Sequence, residues 1–309
     1  MKVNNDPVIN RNHFLPTLYL KGFEDTNAVL WRYDQKDGKI VDGNAEFFGF
    51  EKRLYHPEPP ADPNKYEHFF RDKIESPAYS VLKKLRNKQF PSSEEERVVL
   101  SHYFAALLVR TPMYINLIQK GYDEEINLIN LALAQNEEYN EDHKRFYSSK
   151  AQYDKARQDV LDGKIKMCAT KDHVLYRMAE HVPTIGFLMA HMSWVLIENC
   201  SEEGFITSDN LNYIYNPHIN PKGFYSPGFG LKDSSIYIPV SSSLTLQMIQ
   251  DGEGKNIIQN FNLLSTTLLQ KLKAYSINNI LGFNVADRFI FGNSKKLLEN
   301  IVKCANEVL

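Results

Sequence analysis

The sequence predicts an α+β fold, rich in helix, with strands near the N-terminus and in the C-terminal half packed on a central apolar helix. The stretch that follows Glu94-Glu95-Glu96 is apolar nearly all round from Val98 to Val109, the mark of a helix enclosed by protein. Turn-bounded runs with strand character lie on both sides of a helical middle. A chain of 309 residues with 43% hydrophobic content also buries enough surface for one large core. Residues 1–309 are therefore read as a single α+β domain with a helical insertion.

Taken in order, Pro7–Phe23 is expected to hold a short helix, with His13 near its start, Pro16 in its first turn and Gly22 near its end. Val29–Asp34 and Lys39–Val41 flank the turn-like Gln35-Lys36-Asp37-Gly38 and predict a hairpin, and Ala45–Leu54 adds a strand. Asp62–Glu75 and Ala78–Lys88 are helical, with a break expected at Ser76-Pro77. Ser92 or Ser93 caps the apolar helix, whose three glutamates sit at the positive end of its dipole. Thr111-Pro112 restarts the chain into a helix over Met113–Gln135. Asn136–Lys166 is charge-rich and poor in aliphatic residues, as a helical excursion or flexible arm would be. Lys171–Met192 returns to helix. Strands are expected at Trp194–Ile197, Phe205–Thr207, Tyr213–Tyr215, Ile236–Pro239, Leu244–Met248 and Arg288–Phe291, with a long loop over Asn216–Ser234. Asn256–Leu281 and Ser294–Val308 complete the helices.

Net charge is −2, from 36 basic and 38 acidic residues, so no overall field draws the chain to nucleic acid or to an anionic membrane. Three cysteines without paired spacing read as reduced thiols, and no apolar leader or membrane span is recognised; the expectation is a cytoplasmic protein. P-loop, dinucleotide, nucleophile-elbow, zincin and kinase signatures are all missing, which excludes the well-marked enzyme families. Nucleases that use scattered Asp, Glu and His stay open.

Arg110 ends the most apolar helix, so its guanidinium must meet a carboxylate or a bound anion; Glu75 and Asp209 are the preferred partners. Thr111 and the free N–H groups of the next helix point to the same junction. Phe205-Ile206-Thr207 runs into Ser208-Asp209-Asn210, which places short polar groups at a strand end, as a turn or as a site. His13 next to an apolar helix face is either a satisfied structural histidine or an acid–base group. Glu67, His68 and Glu75 share one helix, and Arg177 and His181 form an i, i+4 pair. Arg97 and His102 match the R-x4-H spacing of small helical ribonucleases, yet lie about 140° apart around a helix and so share no face.

Read together, Asn12-His13-Phe14-Leu15-Pro16 through Gly22-Phe23, Tyr66-Glu67, Ile74-Glu75, Arg110-Thr111-Pro112, Phe205 to Asn210, Ile238-Pro239-Val240-Ser241, Asn278-Asn279 and Ala286-Asp287-Arg288 carry a resemblance that covers nearly the whole chain. The chain resembles the bacterial domain of unknown function 4238 family. It departs from the family pattern at Leu211, where proline is typical, and at Leu15, which stands for valine. The resemblance implies a bacterial protein of antiviral, phage-defence loci. The leading expectation is a hydrolase, a metal-dependent phosphodiesterase or nuclease acting on nucleic acid or nucleotide. In it His13, Glu75 and Asp209 are catalytic; Arg110, Thr111, Ser208 and Asn210 bind substrate; and Glu75 and Asp209 hold Mg²⁺ or Mn²⁺. The alternative is a non-enzymatic binding or sensing module whose polar cluster is structural and whose charged arm meets a partner.

Overall fold

A computed structural model describes residues 7–59, 61–136, 138–199, 203–219, 228–251, 276, 279, 280 and 282–308. The strands are β1 (Arg11–His13), β2 (Leu30–Asp34), β3 (Lys39–Gly43), β4 (Phe50–Lys52) and β5 (Ser193–Glu198). They continue with β6 (Thr207–Ser208), β7 (Ile214–Tyr215), β8 (Ser235–Ser241), β9 (Leu244–Ile249) and β10 (Phe289–Gly292). The α-helices are α1 (Thr17–Leu20), α2 (Lys65–His68), α3 (Ser76–Arg86), α4 (Glu94–Val109), α5 (Pro112–Asn136), α6 (Lys150–Leu161), α7 (Lys171–Ala190) and α8 (Lys295–Val308). Among the described residues every strand pairing is antiparallel, and the architecture is α+β.

A short helix does lie within Pro7–Phe23, α1 with a 3-10 turn over Lys21–Phe23, but it starts later than expected. Residues 11–13 pair with β4, with His13 opposite Phe50, so His13 belongs to a strand. The backbone N–H groups of Phe14 and Leu15 both donate to the Gly49 carbonyl, which keeps the chain extended up to Pro16. Gly49 sits at φ 69°, and a Cβ there would meet the Leu15 carbonyl at 2.9 Å, so the crossing requires glycine. Pro16 thus precedes α1 instead of lying in its first turn.

β2 and β3 form the expected hairpin around Gly38, at φ 68°. They are the outer half of a four-stranded sheet ordered β3-β2-β10-β6. Alternation gives that sheet two faces. Trp31, Tyr33, Ile40 and Ile290 pack with Leu297 and Leu298 of α8. Leu30, Phe289 and Phe291 join the main core on the other side. The remaining four-stranded sheet has the order β5-β9-β8-β7.

No break occurs at Ser76-Pro77. Helical backbone runs from Lys65 to Arg86, with a π-helical stretch over Phe69–Glu75 joining α2 to α3. Proline has no N–H to give and its ring crowds the carbonyl four residues back, and the wider winding accommodates both effects. Ser76 donates to the Arg71 carbonyl twice, through its N–H and, at 2.8 Å, through Oγ.

α4 is buried along most of its length, including Leu100, Tyr103, Phe104 and Ala105 to Val109. Ser93 caps it by accepting from the Glu96 N–H at 3.2 Å, and the Glu96 carboxylate accepts in return from the Ser92 N–H at 2.9 Å. α5 leaves α4 at a bend of 71° after Arg110-Thr111. No single helix among the described residues is long and apolar enough to cross a membrane; the bent α4–α5 pair passes that test by composition, but α4 is core. Within 136–166 the described residues hold α6 and a 3-10 turn at His143–Arg145. Most of the helix expected over Asn256–Leu281 lies outside the described residues.

Candidate functional site

Arg110 closes α4, and its side chain is 1% exposed. Nη1 donates to Glu75 Oε1 at 2.5 Å, Nη2 donates to the His13 carbonyl, and Nε reaches the Tyr55 hydroxyl at 3.4 Å. Tyr55 in turn donates to the Arg110 carbonyl at 2.5 Å, so residue and ring cap each other. The Phe70 ring lies 4.4 Å from the guanidinium centre. Burial pulls the Arg110 pKa down, but Tyr55 and Glu75 outweigh it and leave it above the usual arginine value. The π-helical stretch brings Phe70 and Glu75 to this position together.

Two more groups belong here. His13 stacks edge-on against Phe50, and its ring bonds the Glu46 carbonyl, while Nε2 is enclosed and without a hydrogen-bond partner. Burial, then the Arg110 charge, lowers its pKa. Glu67 accepts from Asn12 Nδ2 at 3.0 Å, and burial raises its carboxyl against the pull of Arg110. Thr111 is buried and caps α5, its Oγ1 accepting from the Tyr114 N–H at 3.2 Å.

Ser208, Asp209 and Asn210 form a separate cluster. Asp209 is buried, and its oxygens accept the backbone N–H groups of Asp287, Arg288 and Phe289, each at 2.8 Å. Burial pushes its carboxyl up to about 6 although the three N–H groups pull the other way. Ser208 Oγ donates to the Asn210 carbonyl at 2.6 Å and accepts from the Tyr213 hydroxyl at 2.9 Å. Asn210 Nδ2 donates to the Val285 carbonyl at 2.7 Å and lies 3.0 Å from Met113 Sδ. The strand end is therefore a turn that fastens β6 to β10, with one contact to the start of α5.

The structure thus brings His13, Glu75, Arg110 and Thr111 to one corner and gathers Ser208, Asp209 and Asn210 at another. Among the described residues no hydrogen bond or ion pair joins Asp209 to Glu75 or Arg110, and Arg110 takes Glu75 as its carboxylate. Nor do three or more His, Cys, Asp or Glu side chains meet there in a group able to hold a metal ion. Glu75 is engaged by a guanidinium and Asp209 by three N–H groups, so this pair does not fit a preformed Mg²⁺ or Mn²⁺ site. The remaining sequence pairs are ties between helices. Arg97 donates to the carbonyls of Ala190 and Met192 at 2.7 and 2.5 Å and stacks 4.1 Å over Trp194, closing the end of α7. Arg177 Nε reaches the Tyr122 hydroxyl at 2.6 Å and His181 Nδ1 the Tyr114 hydroxyl at 2.8 Å, which rivets α7 to α5.

Sequence reasoning missed Tyr55 and Arg86. Arg86 donates to the carbonyls of Leu18, Tyr19 and Val240 at 2.9, 2.8 and 2.9 Å, so each of its three nitrogens is met by a backbone carbonyl. The signal was Gly22: a Cβ there would strike the Arg86 guanidinium and sit 2.7 Å from the Val240 carbonyl. A lone tyrosine such as Tyr55 offers no comparable signal.

Comparison with known proteins adds a family and no activity. No curated protein and no solved structure matches the chain. The model of one family matches residues 11–296 of the 309, and the chain therefore belongs to DUF4238, a family of proteins of unknown function.

Proposed function

We propose that this protein is a non-enzymatic binding or sensing module, in which the polar cluster is structural and the charged arm, residues 136–166, meets the partner. The observation that carries the reading is the state of Arg110. Its three nitrogens are turned to Glu75, the His13 carbonyl and Tyr55, and at 1% exposure no face is left for a substrate phosphate. Asp209 is likewise committed to three backbone N–H groups. A catalytic base or metal ligand must aim a lone pair at a reacting atom, and Asp209, 4% exposed with both oxygens on backbone N–H groups, faces the interior instead.

The arm has the features of an ordered contact element. Tyr139, His143 and Tyr147 surround the Tyr153 ring at 5.4, 4.5 and 5.4 Å. Arg157 donates to the carbonyls of Ala134 and Gln135, closing the end of α5. Phe146 on the same segment is 81% exposed and so is open to a partner.

A second reading, the metal-dependent phosphodiesterase or nuclease of a phage-defence locus, is favoured by one observation: the unpartnered Nε2 of His13 near Glu75. One comparison separates the two. The purified chain is assayed with Mg²⁺ and with Mn²⁺ on DNA, RNA and nucleotides, beside His13→Ala, and its Arg110→Ala variant is melted. The binding reading expects no turnover and a large loss of stability in Arg110→Ala. Turnover abolished by His13→Ala in a folded protein would refute it.

A further inference from the structure

We infer that Arg32 anchors an oxyanion-binding position on the core-side face of the β3-β2-β10-β6 sheet. Arg32 lies in β2 opposite Val41 of β3 and Phe291 of β10. Its guanidinium is flanked by two rings, Phe48 at 5.0 Å and Phe289 at 4.6 Å, and the residue is only partly exposed. Among the described residues its side chain makes no ion pair and no hydrogen bond, and Nε is enclosed without an acceptor. The two terminal nitrogens are not enclosed, so an acceptor can reach them end-on from solvent.

The acid nearest in sequence on the same face is already spent. Asp34 is 3% exposed and takes three contacts from Arg288, at 3.0, 3.0 and 2.7 Å. Arg288 itself stacks on Phe289 at 4.6 Å, so two guanidinium groups share one ring. Its Nη1 takes no part in the Asp34 contacts. Asp37, Asp287, Asp209 and Glu51 are further acids near the pair: Asp37 lies 3.9 Å from Lys39, Asp287 is beside Arg288 in the chain, Asp209 is taken by three backbone N–H groups, and burial raises the Glu51 carboxyl. Asp34 and Asp37 act on Arg32 from a distance, but neither bonds it directly, and a half-buried guanidinium held by rings gains from an acceptor that completes its hydrogen bonds. The two exposed nitrogens suit the oxygens of a single carboxylate or phosphate group.

Titration calorimetry and thermal melts of the full chain with inorganic phosphate, and separately with acetate, test this against chloride at equal ionic strength. At least one of the two anions binds saturably and raises the melting point beyond the chloride control; which one does so tells a phosphoryl ligand from a carboxylate. Arg32→Gln weakens that binding by about ten- to hundredfold, the loss expected for a charge-assisted contact. Arg32→Lys keeps the charge without the planar stack and falls between the two, so it decides the matter if Arg32→Gln does not fold. Wild-type affinity in either variant, or no saturable binding beyond chloride, overturns the inference. Arg32 shares no hydrogen bond with the Arg110 cluster, so this result stands or falls apart from the function proposed above.

Discussion

Replacing Arg110 by alanine is the sharpest test of a structural keystone. The change removes the 2.5 Å ion pair to Glu75, a donor to the His13 carbonyl and a donor to Tyr55, and it empties the space beside Phe70. Glu75 is 25% exposed on its side chain and partly rehydrates, so the full penalty of an orphaned buried carboxylate does not apply. The His13 carbonyl loses a donor in the interior, and the cavity adds its own term. Together these give a loss of roughly 3–5 kcal/mol. Typical total stability is about 5–15 kcal/mol, so the variant is expected to be folded only marginally. At about 2–4 °C per kcal/mol for a large domain, the melting point falls by roughly 6–20 °C. Circular dichroism melts and urea titrations of wild type and variant measure it. The double variant Arg110→Met, Glu75→Leu, which leaves no charge behind, should recover part of the loss. A single variant within about 1 kcal/mol of wild type would refute the keystone argument.

Other outcomes follow from the same structure. The Asp209 carboxyl, at about 6 in the fold against an ordinary value of 3.8, favours the folded state when protonated. Its contribution is therefore complete below 3.8 and is lost as pH rises through 6, by up to roughly 3 kcal/mol. Urea titrations from pH 4 to 7 should show wild type losing stability relative to Asp209→Asn as pH rises; a difference constant with pH contradicts the shift. Gly22→Ala drives a methyl into Arg86 and the Val240 carbonyl and should cost roughly 1–3 kcal/mol, read as a lowered melting point. Phe146→Ser, at an 81% exposed position, should leave the melting point unchanged within about 0.5 kcal/mol, so that any partner it binds reports on contact alone.

What was legible in the sequence is what depends on neighbours in the chain. The capping of α4 by Ser93, the Gly38 hairpin and the apolar stretch of α4 follow from local chemistry and periodicity. The positions of Arg110 and Asp209 were conspicuous because a charge beside an apolar run demands a partner. Glu75 was named as a partner for Arg110 and is one, whereas the partners of Asp209 were hidden, since it binds N–H groups 78 to 80 residues away. The strand at residues 11–13 escaped for the same reason: it exists only through β4, and the helix that Pro16 and the leucines beyond it announce begins only at Thr17. The helix across Pro77 escaped because π winding has no signature in residue type.

The pairing of β2 with β10 has a consequence for how the molecule is made. Residues 30–43 leave the ribosome long before residues 289–292, and β2 has β3 on one side only until β10 arrives. Through most of synthesis the hairpin presents an open hydrogen-bonding edge, with Trp31 and Tyr33 uncovered by α8. Closure of this sheet is thus a late, long-range event, and a nascent chain stalled before residue 289 would carry a sticky, unfinished ribbon near its start.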